Sequence, residues 1–559
     1  TQGRVIDFFR RLEAESGSKL PTWNGELYLE IHRGTYTTQG RNKRANRKSE
    51  MLLHDAEFVA TTAALLDPQY QYPHEQLNRA WETVCLNQFH DIIPGSSIHE
   101  VYIESQAQYN EMMETVASLR DEALAVIARQ MGGDLLAINP TSFAKRDAIP
   151  AALPSGAHVY NQHDIPLSEQ KNDASAALLD VYLQPYSIAA YRVGTGDAPV
   201  YAEPIDAALT HLDNGRIRVE IDPNGDITRI YDYITQRELL PPGMIANQWQ
   251  AFEDRPLNWD AWDFDIFFED KSWGAEPAES IAVVEAGALR ATVEIRRRIL
   301  NSPYIQRISL TNQSQRIDFE TWIDWRERHI LLKAAFPVEI LTPVASYEIQ
   351  FGQVQRPTHR NTSWDWARFE TCAQKWVDLS EHDYGVSLLN DCKYGHDVRD
   401  NIMRITLLRS PAHPDKDADA GEHRFTYSLM PRVNLEQTIA EAYHLNDPMF
   451  TLPSISSAVT RPEFTLLAPD IADGLHFVIE TVKWADDGEG FIVRLYEPMR
   501  RRGTAALKVG VRLRGAHICN LLEENEEPLS VENSENGGAR LSFQLKPFQI
   551  LTLRLIPAQ

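Results

Sequence analysis

The chain has 559 residues, 43% of them hydrophobic, which is too long for one compact domain and supplies apolar material for several cores. Its formal net charge of −24 sets up a field that repels phosphate backbones, so nucleic acid is disfavoured as a partner while a neutral substrate such as a sugar is compatible. No run approaches the roughly 20 apolar residues of a membrane helix, and no charged-then-apolar secretion pattern opens the chain.

Four cysteines, Cys85, Cys372, Cys392 and Cys519, lie far apart without CxxC spacing. Neither a disulfide framework nor a thiolate zinc site is indicated, and a reducing, cytoplasmic setting fits. Taken in order, the chain begins without methionine and runs at once into Val5-Ile6-Asp7-Phe8-Phe9, as though it opened inside a folded unit; processing would leave the same start. Glu26 to Ile31 reads as a strand that meets a helix.

From Gln39 to Arg129 the pattern is helical. Leu52, Ala56, Val59, Ala63 and Leu66 recur at steps of three and four and make one stripe on a long helix. Leu77, Trp81, Val84 and Cys85 mark a second helix, broken by Pro94-Gly95. Ser97 and Glu100 have capping-box spacing before a third, whose face carries Val101, Ser105, Tyr109, Met112, Val116 and Leu119. From Asp134 onward the segments are short and alternate. Ile217, Val219 and Ile221 precede Asn224-Gly225, a tight-hairpin signal. Leu289, Ala291, Val293 and Ile295 alternate with polar neighbours, as a strand with one wet face does, and Leu541 to Leu555 repeat the period. Seams are expected near Gly194 to Asp197 and near Pro431 to Pro453.

Two runs can carry chemistry. His90-Asp91 falls where a helical pattern stops, so an imidazole and a carboxylate sit at a helix C-terminus, which favours cations. They read as a metal ligand and a sugar-hydroxyl acceptor, or as a plain surface pair. Trp259-Asp260-Ala261-Trp262-Asp263 sets tryptophans beside carboxylates, as carbohydrate sites do, because an apolar sugar face stacks on a ring while its hydroxyls bond to carboxylates. An acidic loop with half-buried tryptophans is the alternative. Asp391, Lys393, Tyr394 and His396 either line the same cleft or, the favoured reading, form buried polar scaffolding, and Arg409, at a strand end, holds either a loop or sugar hydroxyls.

The strings HRGTYTTQ at 32–39 and NQFHDIIPGSS at 87–97 closely resemble the middle helical region of glycoside hydrolase family 38 α-mannosidases. The resemblance continues through Phe252 to Pro256, Trp259 to Asp263, Arg356 to His359, Leu389 to Asp397 and Leu407 to Pro411, in order, nearest to the cytosolic and bacterial branch. It implies a zinc-dependent, retaining, exo-acting enzyme for terminal α-mannosyl residues of oligosaccharides, working through a covalent glycosyl-enzyme. The family's QFHD histidine, a zinc ligand, maps onto His90, and the aspartate that touches sugar onto Asp91. Zinc is expected first, with cobalt or manganese also suited to imidazole and carboxylate ligands. Trp259, Asp260, Asp263, Tyr36 and Arg409 are the further substrate-binding candidates.

The pattern is also incomplete. The family's HxD ligand pair, nucleophile and acid belong upstream of Thr1, so no catalytic residue is expected in this chain, and His413-Pro414-Asp415 reads as a loop without a metal role. One histidine holds a divalent ion weakly, and the isolated chain is expected to be inactive. The expected fold is α+β and multidomain: the end of a truncated α/β catalytic domain at 1–30, a three-helix middle domain at 31–130, a large β-sandwich at 131–435 and a C-terminal β-sandwich at 436–559. Expected partners are mannose-containing oligosaccharides and the N-terminal catalytic portion, with self-association open and no membrane. The rival reading is a non-catalytic carbohydrate-binding or scaffold protein.

Overall fold

A computed structural model of the chain describes residues 2–171, 176–199, 203–454, 458–471, 474–535 and 537–558. Its helices are α1 (Val5–Ser16), α2 (Gly40–Leu66), α3 (His74–Asn87), α4 (His99–Met131), α5 (Ser363–Ala367) and α6 (Leu435–Asn446). The opening differs from the reading of the sequence. Val5 to Phe9 lie on α1, a helix with no buried residue, and Glu26 to Ile31 form no strand. The alternation at 26–31 is real but inverted: Leu27, Leu29 and Ile31 point outward, while Tyr28 donates to Glu370 O and Glu26 receives Arg356 at 2.5 and 2.8 Å. A lone extended segment has no neighbour to share a ladder with, so side-chain contacts replace strand pairing.

The long helices follow their apolar stripes. Leu53 and Ala56 of α2, Leu77 and Val84 of α3, and Tyr109, Met112 and Val116 of α4 pack into one core. Further along, Val59 and Ala63 of α2 and Leu124 and Ile127 of α4 join a second core with the last β layers. Two helix starts are capped differently from the sequence signals. Ser97 and Glu100 form no capping box: the N-cap is Ile98 without a side-chain bond, because the Ser97 hydroxyl donates to Asp91 O at 2.7 Å instead. At α2, Gln39 adopts a left-handed φ of 63°, and the Asp419 carboxylate accepts from Gln39 N and Gly40 N at 2.7 Å each. The cap comes from the β region, nearly four hundred residues on, and satisfies amide groups that a helix start leaves free.

The remaining regular structure is almost all antiparallel sheet. A nine-stranded sheet centred on Ile317–Trp325 and Gly421–Arg432, a six-stranded sheet centred on Ile330–Pro337 and Ile402–Arg409, and a five-stranded sheet holding Ile217–Ile221 share one core. A four-stranded and a five-stranded sheet make the C-terminal layers. Leu135–Asn139 pairs with both Ser187–Gly194 and Phe450–Pro453. The hairpin at Asn224-Gly225 is looser than two residues: Ile221 faces Ile227, Asp222 Oδ1 accepts from Asn224 N and Asp226 N at 2.9 Å, and Gly225 takes a φ of 84° that favours glycine. The expected wet face of Arg290–Ile299 is covered at Glu294, which is buried between Arg296 and Arg307. The stretch expected as a seam at 431–453 contains α6, started by Asn434, whose side chain accepts from Gln437 N.

Candidate functional site

The site is built around Arg409, whose guanidinium is fully buried at the end of Ile402–Arg409. Its Nε lies 2.7 Å from Asp254 Oδ2. Nη1 donates to Thr38 Oγ1 and Ala261 O at 3.1 Å each, and Nη2 to Asp263 O at 2.5 Å. One planar fork therefore fixes the residues that lead into α2 and the loop at 259–263. Asp263 is committed in the same way: its carboxylate accepts from Arg33 N at 3.1 Å and Arg33 Nη1 at 3.0 Å. Gly34 lies where this network is tightest, since a Cβ there would stand 2.5 Å from Arg409 Nη1.

The turn after α3 reaches the same point from the other side. Ile92 N and Ile93 N bond back to Phe89 O at 2.8 and 3.1 Å, and Gly95, with φ 93°, approaches so closely that a Cβ would be 2.6 Å from Thr38 O. Lys43 Nζ closes the joint by donating to Thr38 O at 2.6 Å and Ile93 O at 2.7 Å, and burial draws its ammonium down to about 7. Thr38 thus meets both the His90 turn and, through its hydroxyl to Ala261 O at 3.1 Å, the Trp259 loop.

Within this frame three candidates present free surface. His90 has a side chain 73% exposed, with Nε2 3.2 Å from Asp91 Oδ2. Asp91 is half-exposed, its carbonyl held by Ser97. Trp259 is 66% exposed, in a left-handed conformation with φ 63°. Asp260 is turned inward: Oδ2 accepts from Ala412 N at 2.7 Å and His413 N at 3.0 Å, and Oδ1, buried without a hydrogen bond, faces His329 Nδ1 at 3.6 Å. Arg409 and Asp263 likewise have protein partners and no free edge, so their part is to position the loops. Tyr36 is half-buried, and burial pushes its phenol up.

Asp391 pairs with Lys48 at 3.2 Å, Tyr394 lies under Arg47, and buried His396 is held down to about 4 by burial. Asp415 is buried between Gln39 Nε2 at 2.7 Å and His99 Nδ1 at 3.0 Å. Asp254, His329 and Asp419 were not singled out from the sequence. Asp254 stands inside the quoted run Phe252 to Pro256, and its position there was the one available signal.

The donor set at His90 does not by itself suit a divalent ion. Among the described residues the one group of three or more potential ligands is His54, Asp55 and Asp447, which excludes His90. His90 and Asp91 alone fall short of the three or four donors that tight binding requires.

The fold has a solved counterpart: it superposes on the structure of an alpha-mannosidase from Enterococcus faecalis V583 with a TM-score of 0.81 at 18% identity, covering 99% of this chain and 72% of that one. Family profiles locate it further. The alpha mannosidase middle domain matches residues 30–127, the glycosyl hydrolases family 38 C-terminal domain 212–417, and the family 38 C-terminal beta sandwich domain 476–553. Alpha-mannosidase 2C1 of Mus musculus is 37% identical over 98% of this chain and 52% of its own length, and the alpha-mannosidase of Saccharomyces cerevisiae 31% over 96% and 49%. The chain belongs to glycosyl hydrolase family 38 and spans about half the length of these relatives.

Proposed function

We propose that the chain is part of a retaining, metal-dependent exo-α-mannosidase that removes terminal α-mannosyl residues from oligosaccharides. It contributes His90 as one metal ligand, Asp91 as an acceptor for a sugar hydroxyl and Trp259 as a stacking wall. The observation that carries the reading is the joint at Thr38, where the His90 turn and the Trp259 loop are braced against one another, in a chain 37% identical to an alpha-mannosidase over 98% of its length. Zinc is the preferred ion, with cobalt or manganese as substitutes; when bound, such an ion holds neighbouring sugar hydroxyls and favours ring distortion.

The remaining ligands, the nucleophile and the acid come from residues outside this chain. The exposed apolar side chains of Val5, Phe8, Phe9, Leu27 and Leu29 support a docked N-terminal catalytic portion, since exposed apolar surface in quantity marks an interaction site. Four free cysteines favour a cytoplasmic setting.

The test uses an aryl α-mannoside and the chain alone, then mixed with the N-terminal portion, in wild-type and His90→Ala forms. The mixture should hydrolyse the mannoside and lose that activity with His90→Ala. The chain alone should be inactive, with no metal attributable to His90. Hydrolysis by the chain alone, or a fully active His90→Ala mixture, overturns the proposal.

A further inference from the structure

A cavity of about 270 Å³ lies between α2, α6 and the strands Val344–Ile349 and Val478–Trp484, away from the joint at Thr38. Five carboxylates line it, Glu50, Glu57 and Asp447 among them, against two fixed cations, Arg47 and Lys375. Both cations have partners other than Asp447: Arg47 Nη1 donates to Asn446 Oδ1 at 2.8 Å, and Lys375 pairs with Glu348, another of the five, at 2.8 Å. Among the described residues neither a lysine nor an arginine pairs with Asp447 or with its neighbour Asp55.

His54 and Asp447 line this cavity, and together with the buried Asp55 they bring one donor atom each to within 4.8 Å of one another. Two further observations point to a bound cation. Asp55 is 7% exposed, and its Oδ1 makes no hydrogen bond; a buried carboxylate oxygen without a partner is strongly disfavoured. The tautomer of His54 is fixed from behind: the Tyr186 hydroxyl donates to Ile479 O at 2.9 Å, so it accepts from His54 Nε2 at 3.0 Å.

That leaves Nδ1 facing Asp447 Oδ2 at 3.1 Å and Asp55 Oδ1 at 3.9 Å. A bare lone pair aimed at two carboxylate oxygens is repulsive, so a positive charge, either a proton on Nδ1 or a cation, belongs between them. These spacings bracket the edge of a coordination polyhedron with bonds of about 2.1 Å, and a histidine held by a hydrogen bond on its far nitrogen is the usual arrangement of a metal ligand.

We propose that His54, Asp55 and Asp447 bind a divalent cation of the zinc–manganese class, independent of His90, which pins α2 to the end of α6. The imidazole and two carboxylates supply three ligands, and the cavity gives water access to the rest. The competing occupant is a proton on Nδ1.

The chain, freed of metal with chelator, is titrated with ZnCl₂ and MnCl₂ by calorimetry in wild-type and His90→Ala forms. Both should bind one equivalent, and metal should raise their thermal midpoints equally. Asp447→Asn should weaken binding at least ~10-fold, and so should Tyr186→Phe, which keeps the ring against Phe58 and removes only the hydroxyl behind His54. X-ray absorption at the zinc edge of the wild-type chain should report one imidazole among oxygen ligands, a readout that needs no variant to fold. Absence of binding by the folded chain, affinity unchanged by Asp447→Asn and Tyr186→Phe, or loss of the equivalent in His90→Ala overturns the proposal; the last outcome would leave the role of His90 standing, and an inactive enzyme would leave this site untouched.

Discussion

Replacing Arg409 by methionine tests whether the joint at Thr38 depends on that guanidinium. The perturbation leaves Asp254, fully buried and without a hydrogen bond to either oxygen, with no positive charge at 2.7 Å. It also strips the side-chain donor from Asp263 O and one of the two from Ala261 O, which keeps the Thr38 hydroxyl. Breaking a buried pair by removing one partner costs about 3–5 kcal/mol, because the surviving charge stays desolvated. With a denaturant slope of about 3 kcal/mol/M, the urea midpoint should fall by about 1 M or more. Following tryptophan fluorescence reports on Trp249 and Trp325, which lie in the same β core.

The deficit should also depend on pH. Burial already holds the Asp254 carboxyl above its ordinary range with Arg409 beside it. An acid whose folded value exceeds its unfolded one retains a proton in the fold, so the stability it lends at low pH is lost as pH rises through the folded value. Without Arg409 that value climbs further, so the deficit should be smaller at pH 5 than at pH 8. Adding Asp254→Leu should restore about 2 kcal/mol by removing the stranded charge. A single variant within about 1 kcal/mol of wild type, or a double variant no more stable than the single, would refute the reasoning.

Gly34→Ala should destabilise by about 1–3 kcal/mol in the same urea assay, since its Cβ would meet a guanidinium held on every other side, whereas Gly274→Ala, with open space around it, should be close to neutral. Asp419→Ala should cost about 0.5–2 kcal/mol and speed hydrogen exchange at the amides of Gln39 and Gly40, which lose their acceptor. For Lys43, burial lowers the ammonium to about 7. A lysine whose folded value lies below its unfolded one sheds its proton on folding, so its contribution grows as pH rises from about 7 toward the unfolded value. The stability of wild type relative to Lys43→Met should therefore widen between pH 6 and pH 9, and a constant difference would count against a buried, titrating amine.

What was legible in the sequence was what short-range periodicity can carry. The stripe from Leu52 to Leu66 and the faces of Leu77 to Val84 and Tyr109 to Val116 are properties of one helix at a time, and each recurs as a packed face. Alternation likewise marked the strands Ile217–Ile221, Arg290–Ile299, Ala539–Leu545 and Ile550–Pro557. The misses share a different cause. Glu26 to Ile31 alternates like a strand yet has no ladder, because pairing requires a neighbour that local pattern does not specify. The start of α2 is capped by Asp419 and Arg33 is met by Asp263, partners 380 and 230 residues away. Ser97 had the right spacing for a capping box but lies outside the helix start, with its hydroxyl donating to Asp91 O. The helix at Leu435–Asn446 was hidden by flanking prolines that read as a linker, although Asn434 with Glu436 behind it is a serviceable helix start.

The strings that marked the family divide into two kinds once their atoms are followed. Gly34, Thr38, Ala261, Asp263 and Arg409 come from three separate strings and meet at one buried guanidinium, where their polar atoms have protein partners or are hidden. His90, Asp91 and Trp259 sit one step outside that junction and keep their functional atoms exposed. Under the proposed function, a site that presents loops from different elements to one small sugar needs the first kind as much as the second, because a loop displaced by about 1 Å loses the geometry that orients a bound group. The buried members should therefore act on stability and on the placement of the turn and loop together, and the exposed members on metal and sugar alone. Arg409→Met and His90→Ala separate the two: the first should unfold early in the isolated chain, while the second should leave its unfolding within about 0.5 kcal/mol of wild type and show its effect only when the complete site is assembled.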